Sequence, residues 1–214
     1  MSVKYVFVGD IHGKVEAVEA ALAKDGHKVF VGDFCDSFDR TVDDYEKCLT
    51  LVMDAIERSE ATAIFGNHEL SYLMPTKHRC SGYTTSTESM LVPHVGRMRK
   101  LFLPFLEIGD DWLVTHAGLH PDVAMALPET WEDEFTNPTS PMHWIGRARY
   151  GRDPVGGLFW CDFNSEFKPI DGMNQIFGHT RHKTTDIRTV KGKDSINYCI
   201  DCLDTKIQFL EIEI

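Results

Sequence analysis

Short apolar runs that end in glycine and a polar residue recur along the chain. They are YVFV before Gly9-Asp10, KVFV before Gly32-Asp33, TAIF before Gly66-Asn67 and NQIF before Gly178-His179. Runs of β-branched and aromatic residues closed by a turn signal read as buried strands, so each polar residue falls just past a strand's carboxyl end. A fifth run, WLVT, leads to His116 without the glycine. Glycine before these residues is expected to let the backbone turn sharply or approach a bound ion closely.

Between the runs the period changes from strand-like to helical. Val15, Val18 and Leu22 share one helical stripe, which Gly26 is placed to close. A second helix has Thr41 as N-cap, Asp43 and Asp44 in its first turn, and Tyr45, Cys48, Leu49, Val52, Met53 and Ile56 on one face. Strand, helix, strand, helix, strand predicts two βαβ units and a parallel or mixed sheet with helices packed on it. Pro75 to Ser89 is polar and reads as a loop near the site, with His78 on it. A third helix is expected from about Pro93 to Leu103, with Leu91, Val95, Met98 and Phe102 inward. FLEIGDDWLVTH reads as a hairpin turning at Gly109-Asp110, and Pro128 to Gly157 as loop. DIRTV, SINYCID and KIQFLEIEI read as strands, and the tail offers no evident ligand after His179.

Length alone, at 214 residues, allows one domain or two. If Asp10, Asp33, Asn67, His116 and His179 share a site, the chain crosses it from near its start to near its end. A single domain, residues 1–214, is therefore expected. The N-terminal apolar run is too short for a signal-peptide core, no run approaches a membrane span, and the six cysteines are expected to be reduced thiols in a cytoplasmic protein. A formal charge of −11 opposes binding to long nucleic acids. Small phosphate substrates remain open, because bound divalent cations would reverse the local potential.

Asp10 and His12 leave one strand exit two residues apart, where both can reach one ion, and a carboxylate such as Asp33 can bridge two. Oxygen and imidazole donors without thiolate suit Mn²⁺, Fe or Zn²⁺. Two adjacent ions form a clamp for in-line displacement at phosphorus. Cys199 and Cys202 form a CxxC, but no second pair completes a four-thiolate site, and they read as buried thiols.

These residues carry a resemblance. GDIHG at 9–13, GDFCD at 32–36, GNHE at 66–69, THAG at 115–118 and FGHT at 177–180 stand in the order found in calcineurin-like metallophosphoesterases. The chain most resembles the PPP-type serine/threonine protein phosphatases in their compact phage and bacterial form. The resemblance implies an α/β fold, a metallophosphoesterase-type β-sandwich of two mixed sheets flanked by helices. It implies two divalent metal ions, Mn²⁺ before Fe or Zn²⁺, with Asp10, His12 and Asp33 on the first and Asp33, Asn67, His116 and His179 on the second. It makes His68 the general acid, oriented by Asp36, and a metal-bridging hydroxide the nucleophile. The implied substrates are phosphomonoesters, phosphoserine or phosphothreonine of proteins foremost. A dinucleoside polyphosphate hydrolase is the alternative, and a non-catalytic interaction scaffold on the same fold a third reading. Where the family's GDxVDRG motif has arginine and glycine after its second aspartate, this chain has Ser37 and Phe38 after Asp36. Arg40 is the nearby substitute, and Arg149 the candidate for a second phosphate-binding arginine.

Overall fold

The computed structural model describes residues 2–74, 79–182, 186–204 and 206–214. His78 and the residues beside it, 75–77, lie outside that set.

The first three apolar runs form β1 (Lys4–Val8), β2 (His27–Phe30) and β3 (Ala61–Ala63), parallel to one another in the order β3-β2-β1. The last strand of the chain, here β9 (Leu210–Glu213), adds antiparallel to β1 and completes this sheet. A five-stranded sheet has the order β4-β5-β6-β8-β7: β4 (Leu106–Ile108), β5 (Trp112–Val114), β6 (Asn174–Phe177), β7 (Arg188–Gly192) and β8 (Ser195–Cys199). Within it β5, β6 and β8 are parallel, while β4 and β7 pair antiparallel at the edges. The two mixed sheets flanked by helices make the expected α/β sandwich.

Alternation of side chains explains why the strands are apolar without interruption. Phe7, Val29, Val31 and Ile64 on the first sheet meet Ile108, Val114, Ile176 and Ile200 on the second, all buried. The alternate positions Val8 and Phe30 face the other way, into the cluster shared with the helices. Each fully buried side chain of this size contributes roughly 1.5–3 kcal/mol over leaving it in water, so both faces of β1 and β2 must be covered.

Helix α1 (Val15–Leu22) buries Ala17, Val18 and Ala21, and α2 (Val42–Glu57) buries Tyr45, Cys48, Leu49, Val52, Met53 and Ala55. Thr41 and Asp44 form the reciprocal capping box that starts α2. Gly26 does not close α1, whose C-cap is Ala23; with φ of 108° it turns the chain into β2 instead. The expected loop ending at Ser89 is helical in its last part: Thr84 caps α4 (Thr85–Leu91), accepting from the Thr87 amide. Its polar composition reflects a helix that buries only Thr87 and Leu91. The expected third helix begins later, because Val92–His94 is a 3₁₀ turn holding Pro93 and α5 (Val95–Leu101) follows. One short helix, α6 (Pro121–Ala126), lies in a stretch too brief for periodicity to reveal. Pro128 to Gly157 has no regular element other than short 3₁₀ helices, the longest of them Trp131–Thr136. All six cysteines are buried. Among the described residues, no helix is long and apolar enough to cross a membrane.

Candidate metal centre

The six strands that run parallel are the ones whose carboxyl ends lead into one cleft region. Asp10 and His12 follow β1, Asp33 and Asp36 follow β2, and Asn67 and His68 open α3 (Asn67–Leu73) just past β3. His116 follows β5, His179 follows β6 and Asp201 follows β8. Sheet direction is the reason: parallel neighbours present the same end, whereas β4, β7 and β9 point away.

Four donor atoms converge on one point. Asn67 Oδ1 lies 2.8 Å from His116 Nε2 and 3.1 Å from His179 Nδ1, the two imidazoles are 3.2 Å apart, and Asp33 Oδ2 is 3.3 Å from His116 Nε2. Ligands about 2.1 Å from a single octahedral cation stand about 3 Å from one another, so this spacing fits a divalent ion. His116 Nδ1 donates to the Val31 carbonyl, which leaves Nε2 for the cluster. Burial opposes charge on His116, but Asp33 outweighs it and raises the pKa to about 10, so a cation would displace a proton there. His179 is buried, and that burial, with His116 and Arg149 nearby, holds its pKa well below the ordinary value and keeps it neutral.

A second group shares the same carboxylate oxygen. His12 Nε2 is 3.8 Å and His68 Nε2 3.9 Å from Asp33 Oδ2. His12 Nδ1 donates to the Cys35 carbonyl, turning Nε2 inward. His68 Nδ1 is bonded to Asp36 Oδ2 at 2.9 Å, and Asp36 Oδ1 accepts from the Tyr72 hydroxyl at 2.5 Å. Burial works to raise the Asp33 pKa, yet the imidazoles of His116, His68 and His12 keep it well below the usual carboxylate range. Asp10 stands beside these groups: both of its oxygens are 3.0 Å from the His179 amide, and burial followed by the charge of Asp201 raises its pKa.

The backbone is shaped to deliver these side chains. Among the described residues, seven non-glycine positions have positive φ, and four of them are His12, Asp33, Asp36 and His179. Such conformations cost on the order of 1–3 kcal/mol each and persist only where the surroundings fix them. The turn therefore falls largely on the candidate ligand, and the preceding glycine serves mainly close approach. A Cβ on Gly66 would run into the Asp33 carboxylate, and one on Gly178 into that of Asp10. What fixes the geometry is Glu69, fully buried, whose carboxylate accepts from the amides of Asp33 (2.9 Å), Phe34 (2.7 Å), Cys35 (3.3 Å) and Gly66 (3.1 Å). One side chain thus ties the ends of β2 and β3 together.

The sequence profile described as calcineurin-like phosphoesterase matches residues 3–182. The chain belongs to that family. As a calcineurin-like phosphoesterase it is built for metal-dependent hydrolysis of phosphoesters, and its donor set matches that chemistry. Among solved structures, a mutant cold-active protein tyrosine phosphatase is 14% identical with a TM-score of 0.62, over 95% of this chain and 73% of that one. A protein serine/threonine phosphatase from Saccharomyces cerevisiae is 15% identical with a TM-score of 0.54, over 92% and 67%. A metallophosphoesterase from Sphaerobacter thermophilus is 16% identical with a TM-score of 0.50, over 94% and 78%. At these identities the likeness is one of fold. No curated protein sequence matches the chain.

The phosphoesterase cleft is about 600 Å³ and receives Arg149, Arg79 and Arg181 from its walls. Arg149 Nη2 holds Asp162 at 3.0 Å and Thr180 Oγ1 at 3.2 Å, while its Nε is buried with no partner among the described residues. Arg40 is not brought to the cleft. Its guanidinium is paired with Glu16 at 2.6 Å, in a neighbouring groove. Sequence reasoning missed Asp201, a cleft residue whose pKa burial, then Asp204 and Asp33, push up to about 6. The signal was present: SINYCI is a strand-like run that leads directly into an aspartate, as WLVT leads into His116. Arg79 and Arg181 had no such signal. Arg79 is carried by a stack in which it lies 4.4 Å over Tyr83, itself 4.4 Å from Tyr72. Arg181 pairs with Asp204, which also holds Lys14.

Proposed function

We propose that this phosphoesterase is a dinuclear phosphatase of the PPP type that hydrolyses phosphomonoesters, with phosphoserine and phosphothreonine of proteins as substrates and manganese as the metal. The observation that carries the reading is Asp33 Oδ2, which stands in both donor groups at once, as a bridging ligand must. Asp10, His12 and Asp33 are assigned to one cation, and Asp33, Asn67, His116 and His179 to the other. For Asp10 this requires its carboxylate to turn from the His179 amide. Two bound divalent cations neutralise phosphate charge and supply an activated water.

His68 is assigned as the general acid. Asp36 holds its Nδ1, so Nε2 is the nitrogen left to protonate the leaving oxygen. Burial opposes the charged imidazolium, but Asp33 and Asp36 outweigh it and the pKa is raised, which keeps the proton available. Arg149 is assigned to the phosphate, through the guanidinium edge left unpaired. Replacing His68 by Asn is expected to lower kcat by about 10²–10⁴-fold, with two metals per chain retained by elemental analysis. If a metal is lost with the imidazole, His68 is a ligand and the acid lies elsewhere.

Parallel assays of the manganese-loaded protein on phosphopeptides and on diadenosine tetraphosphate test the substrate. Faster turnover of the phosphopeptides is expected. A preference for the dinucleotide would move the assignment to nucleotides, and a two-metal protein inert toward every phosphoester would leave a binding scaffold.

A further inference from the structure

Two of the three arginines that reach the metal cleft are already answered by acids. Arg149 is paired with Asp162 and Arg181 with Asp204, whereas Arg79 has neither a carboxylate nor a hydrogen-bond partner among the described residues. A ring holds it instead, with the guanidinium 4.4 Å over Tyr83. The turn after Asp36 sends no guanidinium into the cleft, since Ser37 and Phe38 follow it and Arg40 is held by Glu16.

The segment that carries Arg79 is tied to the site at successive steps. Asn67 Nδ2 donates to Cys80 Sγ at 3.1 Å and the thiol donates to the Asn67 carbonyl at 3.3 Å, so the residue next to Arg79 is seated on a candidate ligand. Gly82, at φ 89°, comes so near Asp36 that a Cβ there would lie 3.1 Å from the Asp36 Cβ. Tyr83 stacks on Tyr72 at 4.4 Å and 14°, and the Tyr72 hydroxyl donates to Asp36 while accepting from the Thr84 amide at 3.2 Å. The platform under Arg79 thus ends on the carboxylate that holds His68. A cation–π contact occupies only the flat face of a guanidinium, and its N–H edges stay free to donate. Arg149 flanks the same donor group from another element: its Nη2 is 3.4 Å from the His179 carbonyl, and His179 Nδ1 is 3.1 Å from Asn67 Oδ1. One arginine therefore adjoins each of two neighbouring candidate ligands.

We propose that Arg79 is a phosphate-binding residue, whose free N–H edge donates to the phosphoryl oxygens of the substrate across the cleft from Arg149. This role rests on the phosphomonoesterase reading of the same cleft and adds to it a residue from the segment after α3. Arg149 already commits Nη2 to Asp162 and Thr180, and a phosphoryl dianion offers more acceptor sites than its remaining edge can fill. A second planar fork matches those oxygens. Because the ring platform holds the guanidinium before substrate arrives, little side-chain freedom is lost on binding. The chain neighbours of Arg79 touch Asn67 and Asp36, which places it at the reacting group rather than along the rest of a substrate.

The test uses manganese-loaded wild type, Arg79→Met and Arg79→Lys with inorganic phosphate and p-nitrophenyl phosphate, neither of which has a peptide flank, and with an acidic phosphoserine peptide. Arg79 is exposed, so both variants should fold with Tm and metal content unchanged. In Arg79→Met the calorimetric Kd of inorganic phosphate is expected to weaken about 10- to 100-fold, and kcat/KM for p-nitrophenyl phosphate to fall by a similar factor, as for a lost hydrogen bond to a charged group. Arg79→Lys should recover part of both, since it keeps the charge without the fork. Values for Arg79→Met within about twofold of the wild type overturn the proposal. A loss confined to the acidic peptide also overturns it, since the guanidinium would then meet a flanking residue. Loss of manganese from Arg79→Met does the same, because Arg79 would then support the Asn67 ligand rather than substrate. If the wild type hydrolyses no phosphoester, the phosphatase reading fails separately, and phosphate binding still decides Arg79: a wild type that binds no phosphate, or one whose affinity Arg79→Met keeps, overturns the role.

Discussion

Replacing Asp33 by Asn is expected to abolish manganese-dependent hydrolysis of p-nitrophenyl phosphate, lowering kcat/KM by about 10³-fold or more, some 4 kcal/mol of transition-state stabilisation. The magnitude follows from the position of one oxygen. Asp33 Oδ2 faces His116 at 3.3 Å, His12 at 3.8 Å and His68 at 3.9 Å, so a neutral amide there withdraws a charged ligand from both groups at once. The substitution is otherwise conservative. Asp33 Oδ1 accepts from the His68 amide at 3.0 Å, and the Asn carbonyl oxygen can do the same. Folding should therefore survive, and metal content should fall from two per chain to one or none. A variant that keeps full manganese-dependent activity would remove the bridging role of Asp33, and with it the dinuclear reading.

The second large effect is on stability. Glu69 is wholly buried and accepts from four main-chain amides, and Glu69→Ala strands those donors away from water. Each unsatisfied buried amide costs about 1–3 kcal/mol, so a destabilisation of at least about 4 kcal/mol is expected, a large part of the 5–15 kcal/mol typical of a whole domain. For a chain of this size that is a fall in Tm of about 10 °C or more. Metal affinity should fall with it, because the amides concerned include that of Asp33, whose φ of 54° nothing local favours. Glu69→Gln retains one acceptor oxygen and should fall between the two. A Tm for Glu69→Ala within 2–3 °C of the wild type, against the shift expected from that cost, would show that the amides find other partners and that Glu69 does not hold the ligand loops.

The contrast between these two residues tracks what could be read from the chain. Asp33 announces itself, since KVFV-Gly32-Asp33 repeats a pattern seen at Asp10, Asn67 and His179. Strand, turn and candidate ligand are neighbours in sequence, and local chemistry suffices to place them. Glu69 belongs to the same motif as Asn67 and His68, but three of its four amide partners lie 34–36 residues away on the β2 exit, and no local signal encodes that. The helix α2 was legible for a local reason as well, since its capping box and its apolar stripe both lie within the helix and its cap.

The sequence determined the strands, the amphipathic helices, the candidate ligands at strand ends and the family. The tertiary structure decided which strands run parallel, and so that Asp201 at the end of β8 joins a cleft shared with His12 and Asp33. It also decided that Arg40 turns away to Glu16 while Arg79 and Arg181 line the cleft, and that Phe38 and Tyr150 stand in solvent at its mouth. The physical reason is range. Period and turn chemistry act over a few residues and are written locally, whereas the direction of a long cation or the exposure of a ring depends on which distant surface it meets.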